Sequence, residues 1–170
     1  MINYFKKYFK NSPTKQAFLQ KNLIPFDLGK MIRVGNNKDG GYVVSEDGIK
    51  SCEFLLTIGL GYHFSFEKDF LKLKKSGSLL IKCYDNSVSK KIMKKYSTQN
   101  LIRLFYRPSF KAFQRSTRYF EFLLLFNSSK AIHVEKNVSE KKSENSETLN
   151  SIFQYLKQNN LVKIDIEGGE

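Results

Sequence analysis

The chain has 170 residues, with 29 Lys and Arg against 16 Asp and Glu and a formal net charge of +13. A 41% hydrophobic share with 15 Phe and 9 Tyr excludes a wholly disordered chain, and ten Gly with three Pro exclude collagen-like or proline-rich material. Two cysteines, Cys52 and Cys83, exclude a disulfide framework and a zinc cluster, and no run reaches the ~18–20 apolar residues that span a bilayer. The length fits one domain. The charge directs attention to an acidic partner, either nucleic acid or an anionic membrane surface.

Residues 1–30 read as a basic, helical lead-in. Tyr4, Phe5, Tyr8 and Phe9 fall at helical spacing, with Lys6, Lys7 and Lys10 between them. A membrane-surface helix has that pattern, and so does an amphipathic helix docked on a core, which is the expected case. No apolar segment follows the basic start, so no secretory signal is expected. The two cysteines are then expected to be reduced thiols in the cytoplasm.

Residues 31–46 predict a hairpin. Ile32 and Val34 alternate with Arg33, a turn follows through Asn36, Asn37, Asp39, Gly40 and Gly41, and Tyr42, Val43 and Val44 extend again. The apolar run 54–58 predicts a buried strand ended by Gly59. Residues 65–75 predict a helix capped by Ser65. Residues 79–84 predict a second buried strand, ending in Asp85. Then come a basic helix over 89–96, an extra strand over 101–105 and a longer helix over 110–126. Residues 131–134 predict a third core strand. Leu149, Ile152, Phe153 and Leu156 repeat at i, i+3, i+4 and i+7, the pattern of an amphipathic helix, and 161–167 is the last strand. This alternation predicts an α/β fold with a mostly parallel sheet and helices on both faces.

Three constellations carry candidate chemistry. Thr57-Ile58-Gly59-Leu60-Gly61 puts glycines after a buried strand and before a helix, where backbone approaches a ligand closely. Phe64 replaces the third glycine of a dinucleotide fingerprint, so a smaller polar group is favoured over a pyrophosphate. Asp85 ends the second strand, 26 residues after Gly59. A carboxylate there accepts two hydrogen bonds from a ribose diol, or it starts the next turn with Asn86 and Ser87. Asp165-Ile166-Glu167-Gly168-Gly169-Glu170 closes the chain. Strand alternation puts Asp165 and Glu167 on one face and Ile164 and Ile166 on the other, with the acids at the ligand edge of the sheet. There they would orient a substrate, accept a proton or hold a metal.

Together these patterns resemble the FkbM-type family of class I S-adenosylmethionine-dependent methyltransferases. The resemblance rests on Arg33-Val34-Gly35 with Asp39-Gly40-Gly41-Tyr42, on Ile58-Gly59-Leu60-Gly61 with Ser65-Phe66-Glu67, on Asp85, on Thr148-Leu149, and on the run from Val162 through Lys163 and Asp165 to Glu170. It covers roughly residues 30–90 and 145–170; the segment 95–140 has no counterpart. It implies a Rossmann-like class I methyltransferase domain over 31–170. It also implies that Gly59 and Gly61 border the methionine end of S-adenosylmethionine and that Asp85 binds its ribose. His63, Asp165 and Glu167 are then the candidate general bases for an acceptor hydroxyl. Tyr62-His63 departs from the family, where a small polar or acidic residue is common. The implied reaction is O-methylation of a sugar or secondary-metabolite hydroxyl, with a small-molecule or glycan acceptor and no metal.

The family sheet has seven strands in the order 3-2-1-4-5-7-6. This chain supplies strands one to four and stops at Glu170, so the reading is of a truncated product or fragment that keeps part of the cofactor site and loses turnover. Its last strand is expected at an exposed edge, open to self-association. Two alternatives remain. One is a nucleotide-sugar glycosyltransferase using Asp165, Glu167 and a metal. The other is a basic nucleic-acid-binding protein. Between Lys68 and Arg118 there are 14 Lys and Arg against Asp69 and Asp85, interleaved with Phe105, Tyr106, Phe110 and Phe113. A solvated basic face over a buried aromatic one is the plainer reading of that stretch, and it disfavours nucleic acid.

Overall fold

The structure is a computed structural model that describes residues 29–37, 40–74 and 77–166. Most of the lead-in expected over 1–30 lies outside the described residues, as does Glu167.

The hairpin forms as expected. β1 (Met31–Gly35) pairs antiparallel with β2 (Gly41–Ser45), Met31 facing Ser45 and Gly35 facing Gly41. A short helix unforeseen in the sequence follows, α1 (Glu46–Ser51). Asp47-Gly48 reads as a turn, but Ser45 Oγ accepts the Gly48 amide at 3.4 Å and buried Ile49 anchors the segment.

β3 (Phe54–Ile58) is buried at every position, as a central strand covered on both faces must be. Next is α2 (Ser65–Leu73), in which Phe66 and Phe70 meet the core. Ser65 is not its cap; Phe64 holds that position and makes no side-chain cap bond. Ser65 Oγ instead accepts the Asn36 amide at 3.1 Å and donates to the Gly40 carbonyl at 3.4 Å, clasping the hairpin turn. β4 (Leu80–Tyr84) then runs parallel to β3.

α3 (Lys90–Tyr106) begins at a Ser89 cap and absorbs the strand expected over 101–105. The β-type composition of Leu101-Ile102 loses to propagation, because a nucleated helix gains one hydrogen bond per added residue. It ends at Arg107, which precedes Pro108 and is extended there (φ −143°, ψ 76°). The single helix expected over 110–126 divides into α4 (Phe110–Ser116) and α5 (Arg118–Phe126). At the junction the Ser116 and Thr117 hydroxyls donate to the Phe113 and Gln114 carbonyls, competing with helix bonds. Ser97 Oγ of α3 accepts the Tyr119 amide at 2.8 Å and donates to the Arg115 carbonyl at 3.3 Å, partnering backbone at the break.

β5 (Ala131–Val134) flanks β4. A two-residue parallel pair, β6 (Asn137–Val138) and β7 (Ser146–Glu147), leads to α6 (Leu149–Phe153). α6 is shorter than its periodicity predicts: Ile152 is buried, but Leu149 and Phe153 are exposed. β8 (Asn160–Ile164) closes the order and pairs parallel with β3, Ile58 facing Ile164.

The result is an α/β fold around a four-stranded parallel sheet in the order β5-β4-β3-β8. In chain order that is third, second, first, fourth. The first two crossovers and the hairpin pack on one face, with Phe66, Phe70, Met93 and Phe122 against Leu55, Ile81 and Cys83. The return crossover lies on the other face, which α6 covers thinly through Ile152 against Phe54, Leu56 and Ile58. The expected coverage of both faces is therefore lopsided. Among the described residues β8 has a sheet neighbour on one side, and its Val162 and Ile164 are exposed, as expected of an edge.

Candidate functional site

The site grows from the carboxyl ends of β3, β4 and β8. Gly59 leaves β3 with φ +83°, and a Cβ built there would overlap the Asp165 carbonyl at the end of β8. Only glycine lets these two backbones meet. The Gly59 amide donates to the Tyr84 carbonyl at 3.0 Å, and the Asp165 amide to the Ile58 carbonyl at 2.8 Å, so the sheet's bonding continues into the site. Gly61 also has positive φ, +60°, but faces open space.

Asp85 organises the loop. Its Oδ2 accepts the Leu60 amide at 2.8 Å and the Gly61 amide at 2.7 Å. Its Oδ1 accepts the Ser87 amide at 2.7 Å and the Ser87 hydroxyl at 2.6 Å. Burial alone would raise its pKa, but these bonds from Gly61, Ser87 and Leu60 together hold it below the usual carboxylate range. All the acceptor positions the carboxylate has are thus used within the chain.

Asp165 is half-buried. Its Oδ2 accepts the Tyr42 hydroxyl at 2.7 Å, and Lys163 Nζ stands 3.9 Å from the same oxygen. Lys163 is itself buried, paired at 3.1 Å with Glu67 Oε1, which also accepts the Thr57 hydroxyl at 3.0 Å. Glu67 is fully buried, and among the described residues its Oε2 has no hydrogen-bond partner. Strand parity explains the grouping: Lys163 and Asp165 lie two apart and so share a side.

These pieces enclose one cavity of about 500 Å³. Gly59, Gly61, His63, Asp85 and Asp165 all line it, together with Tyr62, Tyr84, Asn86, Ser87 and residues 136–138. The structure thus brings together every sequence-predicted site residue it describes. His63 lines the rim and is exposed. Tyr62 stacks on Tyr96 of α3, ring centroids 4.5 Å apart. Burial pushes the Tyr84 hydroxyl up to about 12, so it stays a phenol at neutral pH. Among the described residues, no three His, Cys, Asp or Glu side chains group to hold a metal ion.

Sequence reasoning did not assign site roles to Tyr42, Lys163 or the 136–138 loop. Parity along β8 was the available signal for Lys163; the others come from elements distant in the chain. His133 was also overlooked. Its Nε2 donates to the Asp85 carbonyl at 3.1 Å, and its ring packs against Phe122 and Phe126. Burial lowers its pKa, more than the Asp85 carbonyl bond and the Glu135 and Asp85 charges raise it.

Compared with known proteins, the chain matches no family model, no curated protein and no solved structure significantly. Its function therefore has to be argued from the site.

Proposed function

We propose that the cavity binds S-adenosylmethionine and that the protein is a methyltransferase of the Rossmann-like, FkbM-type class acting on a hydroxyl of a small molecule or glycan. One observation carries this reading. Gly59, Gly61, His63, Asp85 and Asp165 line a single cavity at the carboxyl edge of the sheet, where the strand order turns back from β3 to β8. Open α/β sheets bind ligands at that point. The volume falls within the ~300–1,000 Å³ range of small-molecule and cofactor pockets.

The residues fit the cofactor. Gly61 leaves open space beside its backbone for the methionine end. The Ser87 hydroxyl rotates about its own bond, so it can yield Asp85 Oδ1 to a ribose hydroxyl. The bound sulfonium supplies an already activated methyl group, so the protein's task is mainly to position donor and acceptor. Tyr42 fixes Asp165 Oδ2, which leaves Oδ1 to take the acceptor's proton. His63, across the cavity rim, is the other base, and Glu167 lies beyond the described residues. The reduced, buried Cys52 and Cys83 fit the cytoplasm as the compartment. The exposed edge of β8 keeps self-association within the proposal.

Calorimetry tests the reading against its rival. Saturable binding of S-adenosylmethionine, weakened by Asp85→Asn, is expected. Heat only with a nucleotide sugar and manganese would replace the methyltransferase with a glycosyltransferase. No response to either would remove both.

A further inference from the structure

Residues 86–120 contain nine Lys and Arg and no Asp or Glu. They build α3, α4 and the start of α5. α3 turns a stripe of Met93, Ser97 and Asn100 inward. Its outer side ends in Leu101 with Phe105 and Ile102 with Tyr106, two i,i+4 pairs. Beyond Pro108, α4 adds Phe110 and Phe113. All six side chains are more than half exposed, and Phe105, Tyr106 and Phe110 reach 83%, 82% and 75%. Arg103, Arg107 and Lys111 stand exposed among them. Among the described residues these three form no salt bridge.

Single exposed apolar residues are ordinary on a protein surface, but a patch of this kind marks an interaction site. Its charge selects an anionic partner. Its chemistry selects among anions. Leu101 and Ile102 have no ring to stack on a base, whereas acyl chains accept them readily. The most exposed rings stand at the turn between two helices and do not line the cavity. No helix among the described residues is long and apolar enough to cross a bilayer, so contact would lie in the interface plane.

We infer that the α3–α4 corner docks on an anionic membrane surface. Phe105, Tyr106 and Phe110 enter at headgroup level, and Arg103, Arg107 and Lys111 face the lipid charges. This surface is distinct from the cavity and does not depend on what the cavity binds.

The test is flotation of the full chain with phosphatidylcholine vesicles, with and without phosphatidylserine, at physiological salt. Binding is expected only with the anionic lipid. Each basic residue near such a surface adds about fivefold, so Arg103→Gln/Arg107→Gln/Lys111→Gln should lose about a hundredfold. Phe105→Ser/Phe110→Ser should lose at least about tenfold through the apolar contact, with an unchanged far-ultraviolet circular dichroism spectrum. Equal binding to neutral vesicles, or undiminished binding by either variant, would overturn the inference. So would a single-stranded oligonucleotide that binds at the same salt and loses affinity in both variants while vesicles do not bind. A dimer abolished by the aromatic variant, again without vesicle binding, would assign the corner to a second copy.

Discussion

Asp85 Oδ2 accepts the Gly61 amide at 2.7 Å, tying the end of β4 to the loop that leaves β3. The Leu60 amide shares that oxygen, so one buried carboxylate fixes the conformation of the glycine turn. Asp85→Asn keeps the shape and sets an amide against donors. Denaturant unfolding should show a loss of about 1.5–3 kcal/mol, the size of hydrogen bonds to a charged group. The folded carboxylate titrates below its unfolded value of ~3.9, so its contribution is full above that pH and is lost as pH falls through the lower folded value. The variant should lack that acid-side decline.

The two site glycines should respond differently to a methyl group. Gly59→Ala drives a Cβ into the Asp165 carbonyl at a positive φ, and the expected cost is at least about 3 kcal/mol. Gly61→Ala has only the left-handed backbone to bear, about 1–2 kcal/mol. Melting temperatures of the two variants side by side check the ranking. Equal losses would mean that β8 is not packed on Gly59.

Lys163 and Glu67 form a buried ion pair under the site. Lys163→Met alone leaves the buried Glu67 carboxyl with the Thr57 hydroxyl but without its cation and should cost about 3–5 kcal/mol. Adding Glu67→Gln removes the stranded charge and should recover much of it. A double-mutant cycle by urea unfolding gives the coupling. Purely additive losses would contradict the pairing.

His133 gives a pH signature in a milder range. Its folded pKa lies below the unfolded value of ~6.5, chiefly through burial against Phe122 and Phe126. Between those two values the unfolded chain binds more protons. Stability is therefore full above about pH 6.5 and falls as pH drops below it, by up to about 1.4 kcal/mol per pH unit. His133→Gln should flatten that slope in urea titrations across the window.

The parallel sheet was readable because its central strands are short, mostly apolar runs closed by Gly59 and Asp85. The middle of the chain was harder. Leu101 to Phe105 has strand composition, yet it continues a helix already capped at Ser89, and a local window cannot see that. The split at Thr117 depends on Ser97, twenty positions earlier. The site was legible as residue types and not as bonds. Asp85 was expected either to face a ribose or to start the next turn with Asn86 and Ser87; it bonds Ser87 and also takes the Leu60 and Gly61 amides. Lys163 had no site role in the sequence, and Glu67 pairs with it in the interior at 3.1 Å.

The closeness of Gly59 to Asp165 also bears on how the molecule forms. These residues are 106 positions apart in the chain. β3, β4 and β5 can pair in sequence through their own crossovers. β8 must return across all of them before it meets β3, and closing so long a loop is slow. The cavity is therefore a late product of folding, and an incompletely folded chain has a sheet but no binding site. A ligand held between the β3 turn and Asp165 would act as a latch on that final step. It should slow unfolding far more than it speeds folding.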